Sequence, residues 1–330
     1  MTTIKDIAKI AGVSVATVSR VINNKSDVSA MMREKILTIM EEVGYVPNMM
    51  AKNLSHGRAK LIAVMLPTLN NQFFSELLTE IEKEASKHGY NTMHVLTGDD
   101  RAKVEYYLNS IKSNFVCGAI INSLAIEQSD LEGLEKTGTK VVTIDRSAHD
   151  HDFSSVNVDH IFGGQLAAKH LMQKGCRNVV LLTGASDDTI SNLRLEGFRQ
   201  YVAEHQLEVS VTLVESDLTS EGGYRCFKTF LEEKPSFDGV FCSNDAMAFG
   251  AIRACRDFDI IVPENVLMIG YDNSHINEYS VPRLSSIDQD VTQIGRESVN
   301  TLIELVNGIE IKRRVVITPM LVERESTIVA

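Results

Sequence analysis

Apolar positions recur at two different spacings along this chain, and the change near residue 60 divides it. In the first fifty residues the spacing is helical: Ile4, Ile7, Ala8 and Ala11 fall on one face, and Val13, Val18, Val21 and Ile22 on another a short turn later. Gly12 stands where the chain must turn between the two. Ser14 is placed to cap the second helix by accepting a backbone N–H. A third helix is expected from Ser29 to about residue 43, with Met32, Ile36, Ile39 and Met40 inward, Gly44 ending it and Tyr45 closing the core. Pro47 and Asn48 then open a short segment, residues 49–54, before Gly57. An isolated helix of that length is mostly unfolded in water because nucleation is costly. The segment is therefore either a plain linker or a hinge that orders only against a partner surface.

From Leu61 onward, short apolar strands alternate with amphipathic helices. Residues 61–66, 91–96, 117–122 and 140–145 read as buried parallel strands, with helices over 74–88 and 102–113 among them. The pattern repeats with strands at 178–184, 211–216, 239–244 and 266–272 and helices near 162–174, 191–204, 221–233 and 245–258. Two successive βα series predict two doubly wound lobes. Polar residues gather at the carboxyl ends of these strands: 67–71, Asn122, Asp145, Asn244 and Asp272. Ligands of open α/β sheets bind at such ends, so facing lobes would enclose a polar cleft.

Composition changes this picture in two places. The chain carries a net charge of −11, yet residues 1–60 hold nine basic against five acidic side chains, +4, and the remainder 24 against 39, −15. A basic head on an acidic body confines any polyanion contact to the head. No apolar run approaches membrane-spanning length, and the N-terminus lacks the long apolar core of an export signal, which predicts a cytoplasmic protein with no membrane partner. Five cysteines without CxxC spacing read as reduced, buried thiols.

The candidate chemistry follows. The second helix leaves Val15, Ala16, Thr17, Ser19 and Arg20 off its buried face. Small residues let a helix enter a major groove, hydroxyls reach phosphates, and an arginine can pair two-pronged with guanine. Asp145, Arg146, Arg194 and Asp272 are a catalytic set, a hydroxyl-binding set or strand-end charges that merely face solvent. Binding is the better reading, because GxGxxG, GxxxxGK[ST] and GxSxG are all absent. Carboxylates beside arginines hold sugar hydroxyls well, since each hydroxyl both donates and accepts. The alternation His149-Asp150-His151-Asp152 is read as a solvated loop between strands; no metal and no cofactor is expected. Phe73 and Phe74 are either two core aromatics or one core ring and one ring stacking on a ligand. Met49, Met50 and Leu54 beside Lys52 and Arg58 suit either minor-groove insertion or packing against the head.

These residues resemble those of the lactose/galactose repressor (LacI-type) family over essentially the whole chain. The resemblance rests on TIKDIAKIAGVSVATVSRVINN at 3–24, YVPNMMAKNL at 45–54, the turn at 71–74 and IDR at 144–146. It continues through RLEGF at 194–198, SNDAMAFGAIRA at 243–254, IGYD at 269–272 and PMLVERES at 319–326.

The resemblance implies a three-helix helix-turn-helix DNA-binding domain at 1–46, a hinge helix and linker at 47–60, and a periplasmic-binding-protein-like α/β core at 61–330. Its first lobe would comprise about 61–159 and 289–318, its second about 160–287 and 319–330. Val15, Ala16 and Arg20 would face bases, and Thr3, Ser14, Thr17, Ser19 and Asn23 would lie near phosphates. The Val15-Ala16 pair is similar to that of the galactose-repressor branch. The hinge, capped by Asn48 and carrying Ala51, Leu54 and Ser55, would insert Leu54 into the minor groove of a near-palindromic operator. Effector contacts would come from Phe73, Asn122, Asp145, Arg146, Arg194, Asn244, Asp272 and Gln289.

The implied function is a homodimeric, non-enzymatic repressor of a carbohydrate operon controlled by a sugar or sugar phosphate. A global regulator using a phosphoprotein corepressor and a sugar-processing enzyme are the alternatives. Several positions depart from the family pattern. Thr68 and Gln72 stand where many members carry Asp and Pro, Leu218 where several carry an aromatic, and Asn273 where a second aspartate is common. The chain reaches Ala330 without a leucine-heptad tail, from which a dimer is expected.

Overall fold

The computed structural model of the protein describes residues 2–23, 25–45, 59–113, 116–145, 153–309 and 311–329. Its contacts divide the chain into two units, Met1–Ala59 and Lys60–Ala330.

In the first unit, α1 (Ile4–Ala11), α2 (Val15–Ile22) and α3 (Ala30–Glu42) bury Ile7, Ala8, Ala11, Val18, Val21, Ile36, Ile39 and Met40 against one another. Gly12 adopts the left-handed conformation, φ 71°, that a sharp turn requires. Ser29 caps α3, its Oγ accepting from Met32 N. Lys35 Nζ donates to the carbonyl of Ala11 at 2.9 Å, satisfying one of the free carbonyls at the end of α1. Three short helices that are individually marginal thus share one apolar centre.

The second unit alternates strands and helices: β1 (Ala59–Leu66), α4 (Gln72–Lys87), β2 (Asn91–Leu96), α5 (Arg101–Ser113), β3 (Val116–Ile121), α6 (Gln128–Lys136), β4 (Lys140–Ile144) and β5 (Ser154–Val158). It continues with α7 (His160–Gln173), β6 (Asn178–Thr183), α8 (Thr189–Glu204), β7 (Ser210–Glu215), α9 (Ser220–Glu232), β8 (Gly239–Cys242), α10 (Asp245–Asp257) and β9 (Leu267–Asp272). Then come β10 (Ser285–Asp288), α11 (Val291–Val306), β11 (Arg314–Ile317) and β12 (Met320–Val322). One sheet has the order β11-β5-β4-β3-β1-β2 and the other β12-β10-β9-β8-β6-β7. The chain therefore passes between lobes three times, after β5, after β10 and after β11. Ile294, Val299 and Leu302 of α11 pack into the core of the first lobe.

Two of the strands expected to be buried are not. Strands β2 and β7 end their sheets, and Leu96 and Leu213 are 38% and 41% exposed. An edge strand is covered on fewer sides than a central one, and apolar content alone does not reveal that. Strand β5 was not expected at all: its sequence SSVNV carries Ser154 and Ser155 as buried core positions, which an apolar-run criterion passes over. Four cysteines are buried, but Cys226 on α9 is only half-buried; all five are free thiols.

Candidate functional site

On α2 the expected division of faces is present. Val18 and Val21 are buried, Thr17 and Ser19 half-buried, and Ser14, Val15, Ala16 and Arg20 exposed. Ser14 Oγ accepts from Thr17 N at 3.1 Å and lies 2.9 Å from Thr17 Oγ1, so the cap leaves the first turn of α2 open outward. Thr3 caps α1 and is held by Asp6 in a reciprocal capping box, which pulls the Asp6 carboxyl below its ordinary value. Asn23 Nδ2 donates to Ser19 Oγ at 3.4 Å. The Arg20 guanidinium sits 3.4 Å from Asp27, both side chains 57% exposed. An ion pair that exposed contributes about 0–1 kcal/mol, so it holds Arg20 in place without preventing a switch to a base edge. Asn48, Ala51, Leu54 and Ser55 lie outside the described residues.

Seven of the eight expected effector residues line one cavity between the lobes: Phe73, Asn122, Asp145, Arg194, Asn244, Asp272 and Gln289. The eighth, Arg146, lies outside the described residues. The space among these groups, open solvent at its mouth included, is about 440 Å³, and about 50 Å³ of it admits the centre of a water-sized sphere. Asn122 and Asp145 follow the carboxyl ends of β3 and β4, Asn244 follows β8 and Asp272 ends β9. Gln289 occupies the second crossing between lobes. Asp145 and Asp272 have φ of 39° and 110°, a conformation L side chains rarely adopt. Backbone strain at strand ends beside a cleft is a mark of functional placement.

The hydrogen-bond economy of these groups differs from residue to residue. Asn244 is used internally: its Oδ1 accepts from Met247 N at 2.8 Å and its Nδ2 donates to the Leu218 carbonyl at 2.9 Å. It therefore shapes the wall more than it offers donors. Gln289 Nε2 donates to Asp272 Oδ1 at 2.6 Å, which leaves Gln289 Oε1 buried without a partner among the described residues. Asn122 Oδ1 is buried and unpartnered in the same way. Two such acceptors in one cavity call for donors from a ligand, since a buried unsatisfied polar atom costs about 1–3 kcal/mol.

Arg194 is the only cation among the described lining residues, and it is already engaged. Its guanidinium carbon stands 3.7 Å over the Tyr271 ring, Nη1 donates to the Ser243 carbonyl, and Nη1 lies 3.8 Å from Asp272 Oδ1. Burial pushes the Asp272 carboxyl well above the ordinary range; Arg194 pulls it down and neighbouring Asp245 pushes it further up. A pair 3.8 Å apart does not offset the lost hydration.

Phe73 and Phe74 both line the cavity, and both are buried, ring centres 5.3 Å apart at 69°. Leu218 lines it at the position where several members of the resembled family carry an aromatic. The lining also includes Asn71, one of the strand-end polar residues expected at 67–71, together with Asp188, Ile190 and Ser191, which sequence reasoning passed over. Asp188 caps α8, accepting from Ser191 N at 2.8 Å; the run DDT after a strand end carried that signal. Among the described residues no group of three or more metal-ligating side chains is suited to a metal ion, and 149–152 lie outside them.

A helix pair with an outward-facing arginine, carried on the same chain as a two-lobed ligand-binding unit, defines a DNA-binding regulator under small-molecule control. Residues 3–48 match bacterial regulatory proteins of the lacI family, and residues 168–327 match the periplasmic binding protein-like domain. The chain is 32% identical over 333 residues to an HTH-type transcriptional repressor PurR of Haemophilus influenzae, covering 99% of this chain and 98% of that one. It belongs to the LacI family of transcriptional regulators. Its fold is similar to that of a lac repressor dimer bound to operator and the anti-inducer ONPF, with a TM-score of 0.85, 28% identity and 99% of each chain covered. A LacI-family regulator from Enterococcus faecium with bound ribose aligns at a TM-score of 0.74 and 27% identity, covering 81% of this chain and 98% of that one. No helix among the described residues is long and apolar enough to cross a membrane.

Proposed function

We propose that the chain is a homodimeric cytoplasmic repressor of a carbohydrate-utilisation operon, and that a neutral sugar bound between the lobes controls its grip on a near-palindromic operator. The observation that carries the sugar reading is the cavity's balance of groups. Among the described residues it offers two unpartnered acceptors, Asn122 Oδ1 and Gln289 Oε1, beside buried carboxyls and one engaged arginine, Arg194. Hydroxyl donors suit that set, and a dianionic phosphate does not. The ribose seen in the Enterococcus faecium regulator fits this class.

In this mechanism Arg20, Val15 and Ala16 read base edges, Ser14, Thr17, Ser19, Asn23 and Thr3 lie along phosphates, and Leu54 wedges the minor groove. Sugar-driven closure of the lobes changes how two hinges of a dimer meet. A segment as short as 48–54 loses order when its partner moves away. Such coupling typically amounts to about 1–3 kcal/mol.

A thermal-shift panel of neutral pentoses and hexoses, their phosphates and purines tests the ligand class. Saturation at a hundredfold over Kd stabilises by about 2.7 kcal/mol. A rise in Tm with a neutral sugar is expected; a rise confined to phosphates or purines contradicts the reading.

A further inference from the structure

Behind the cavity wall lies a buried imidazole that touches both lobes without lining the cavity. His160 opens α7 directly after the first crossing and is 3% exposed. Its Nε2 lies 3.2 Å from Asp145 Oδ2 on the first lobe, outside hydrogen-bond alignment. Its Nδ1 faces two groups of the second lobe, Tyr271 Oη at 3.1 Å and Arg194 Nε at 3.3 Å. The Arg194 Nε carries a hydrogen in every protonation state, and the Tyr271 hydroxyl can donate as well, so Nδ1 must be the acceptor. The proton of a neutral ring is then on Nε2, the nitrogen beside Asp145. Asp145 Oδ1 is itself fixed, accepting from Val158 N at 2.7 Å.

We propose that His160, as the neutral Nε2–H tautomer, is a positioning residue for effector binding: it ties Asp145 of one lobe to Arg194 and Tyr271 of the other, and its unaligned Nε2–H closes onto Asp145 as the lobes close. The proposal rests on the reading of the cavity as the effector site. The ring contacts no ligand; it sets where the acidic and basic walls of the cavity stand. A charged ring would present a second N–H to Arg194, displacing the guanidinium. The groups facing it are Asp145 at the end of β4, Asp159 beside it, Arg194 on α8 and Tyr271 on β9. Burial foremost, and then Arg194, keep its pKa low against the opposing pull of Asp145 and Asp159.

The test uses the full chain and two readouts. Ring 15N and 13C resonances, assigned by their loss in His160→Gln, report the tautomer without any ligand. Neutral Nε2–H persisting from pH 7.5 to 5.5 is expected; an Nδ1–H tautomer, or titration near the ordinary histidine value, overturns the proposal. Affinity for the best binder among D-ribose, D-xylose, D-glucose and D-galactose is the second readout. His160→Phe is expected to weaken it about 10- to 100-fold, the scale of a charge-assisted hydrogen bond. His160→Gln, which keeps an N–H near the Nε2 position and does not titrate, should recover most of that loss and hold affinity flat from pH 7.5 to 5.5. Equal loss in Gln and Phe, or wild-type affinity in Phe, overturns it, and Tyr271→Phe gives a milder change if the phenylalanine variant does not fold. Should the wild type bind none of the four sugars, the sugar reading fails while the ring resonances still decide the tie.

Discussion

The residues proposed to read DNA and those proposed to hold a ligand differ in how openly they present their chemistry. Arg20 is exposed and, among the described residues, its guanidinium is held by an exposed ion pair with Asp27, so its removal costs the fold little. Arg20→Ala is expected to lose about 1–3 kcal/mol of discrimination at one base position of each half-site. Binding to a panel of operator variants checks this; equal loss for every sequence contradicts the role. Leu54→Ala should instead weaken all operators alike, since a wedge acts on the base step and not on a base edge.

In the core, the buried carboxyls link stability to pH. Burial pushes Asp245 up to about 6 and Asp272 higher than its ordinary value of 3.8. A carboxyl raised in the folded state contributes stability fully below its unfolded value, and that contribution is lost as pH rises through the folded value. His160 and His170, lowered by burial, act in the opposite sense, costing stability as pH falls below 6.5. Asp272→Asn should therefore gain on the wild type in denaturant midpoint as pH rises above the ordinary carboxylate range; a constant difference contradicts this. Most cavity residues were legible because they stand at strand ends or within recognisable motifs. His160 and Tyr271, which stand behind the cavity wall, drew no reading of their own although Tyr271 lies within IGYD, since what gives them meaning is proximity across 111 positions of chain.

At the level of elements, the crossing of α7 and α8 sets the position of Arg194. A Cβ on Gly164 would meet the Arg194 carbonyl at 2.0 Å, and one on Gly197 the Ile161 carbonyl at 1.9 Å. These contacts are backbone to backbone, so the helices must separate to admit a methyl group. Gly164→Ala is expected to destabilise the core by about 1–3 kcal/mol and to weaken sugar binding by displacing Arg194. Calorimetry and titration of the same variant check both; full stability with intact affinity contradicts the account. The eight strands read from apolar runs are present, because period and run length are local properties. Edge exposure of β2 and β7 depends on strand order, a tertiary property. The polar strand β5 carries no apolar run; the helix α11, anchored by Ile294, Val299 and Leu302, follows a crossing where the alternation of elements is broken.

For the molecule as a whole, a first unit bearing positive charge and a second bearing net negative charge keep nucleic-acid binding specific to the operator and steeply salt-dependent. In the proposed mechanism the DNA-binding unit is the output and the cavity between the lobes is the input. The central claim is that the two are coupled through a neutral sugar. Its most direct test is operator affinity of the full chain at fixed salt, with and without the sugar that raises Tm. A weakening of about 5- to 150-fold is predicted, abolished in Arg194→Ala while sugar-free operator binding persists. Sugar binding that leaves operator affinity unchanged would contradict the account.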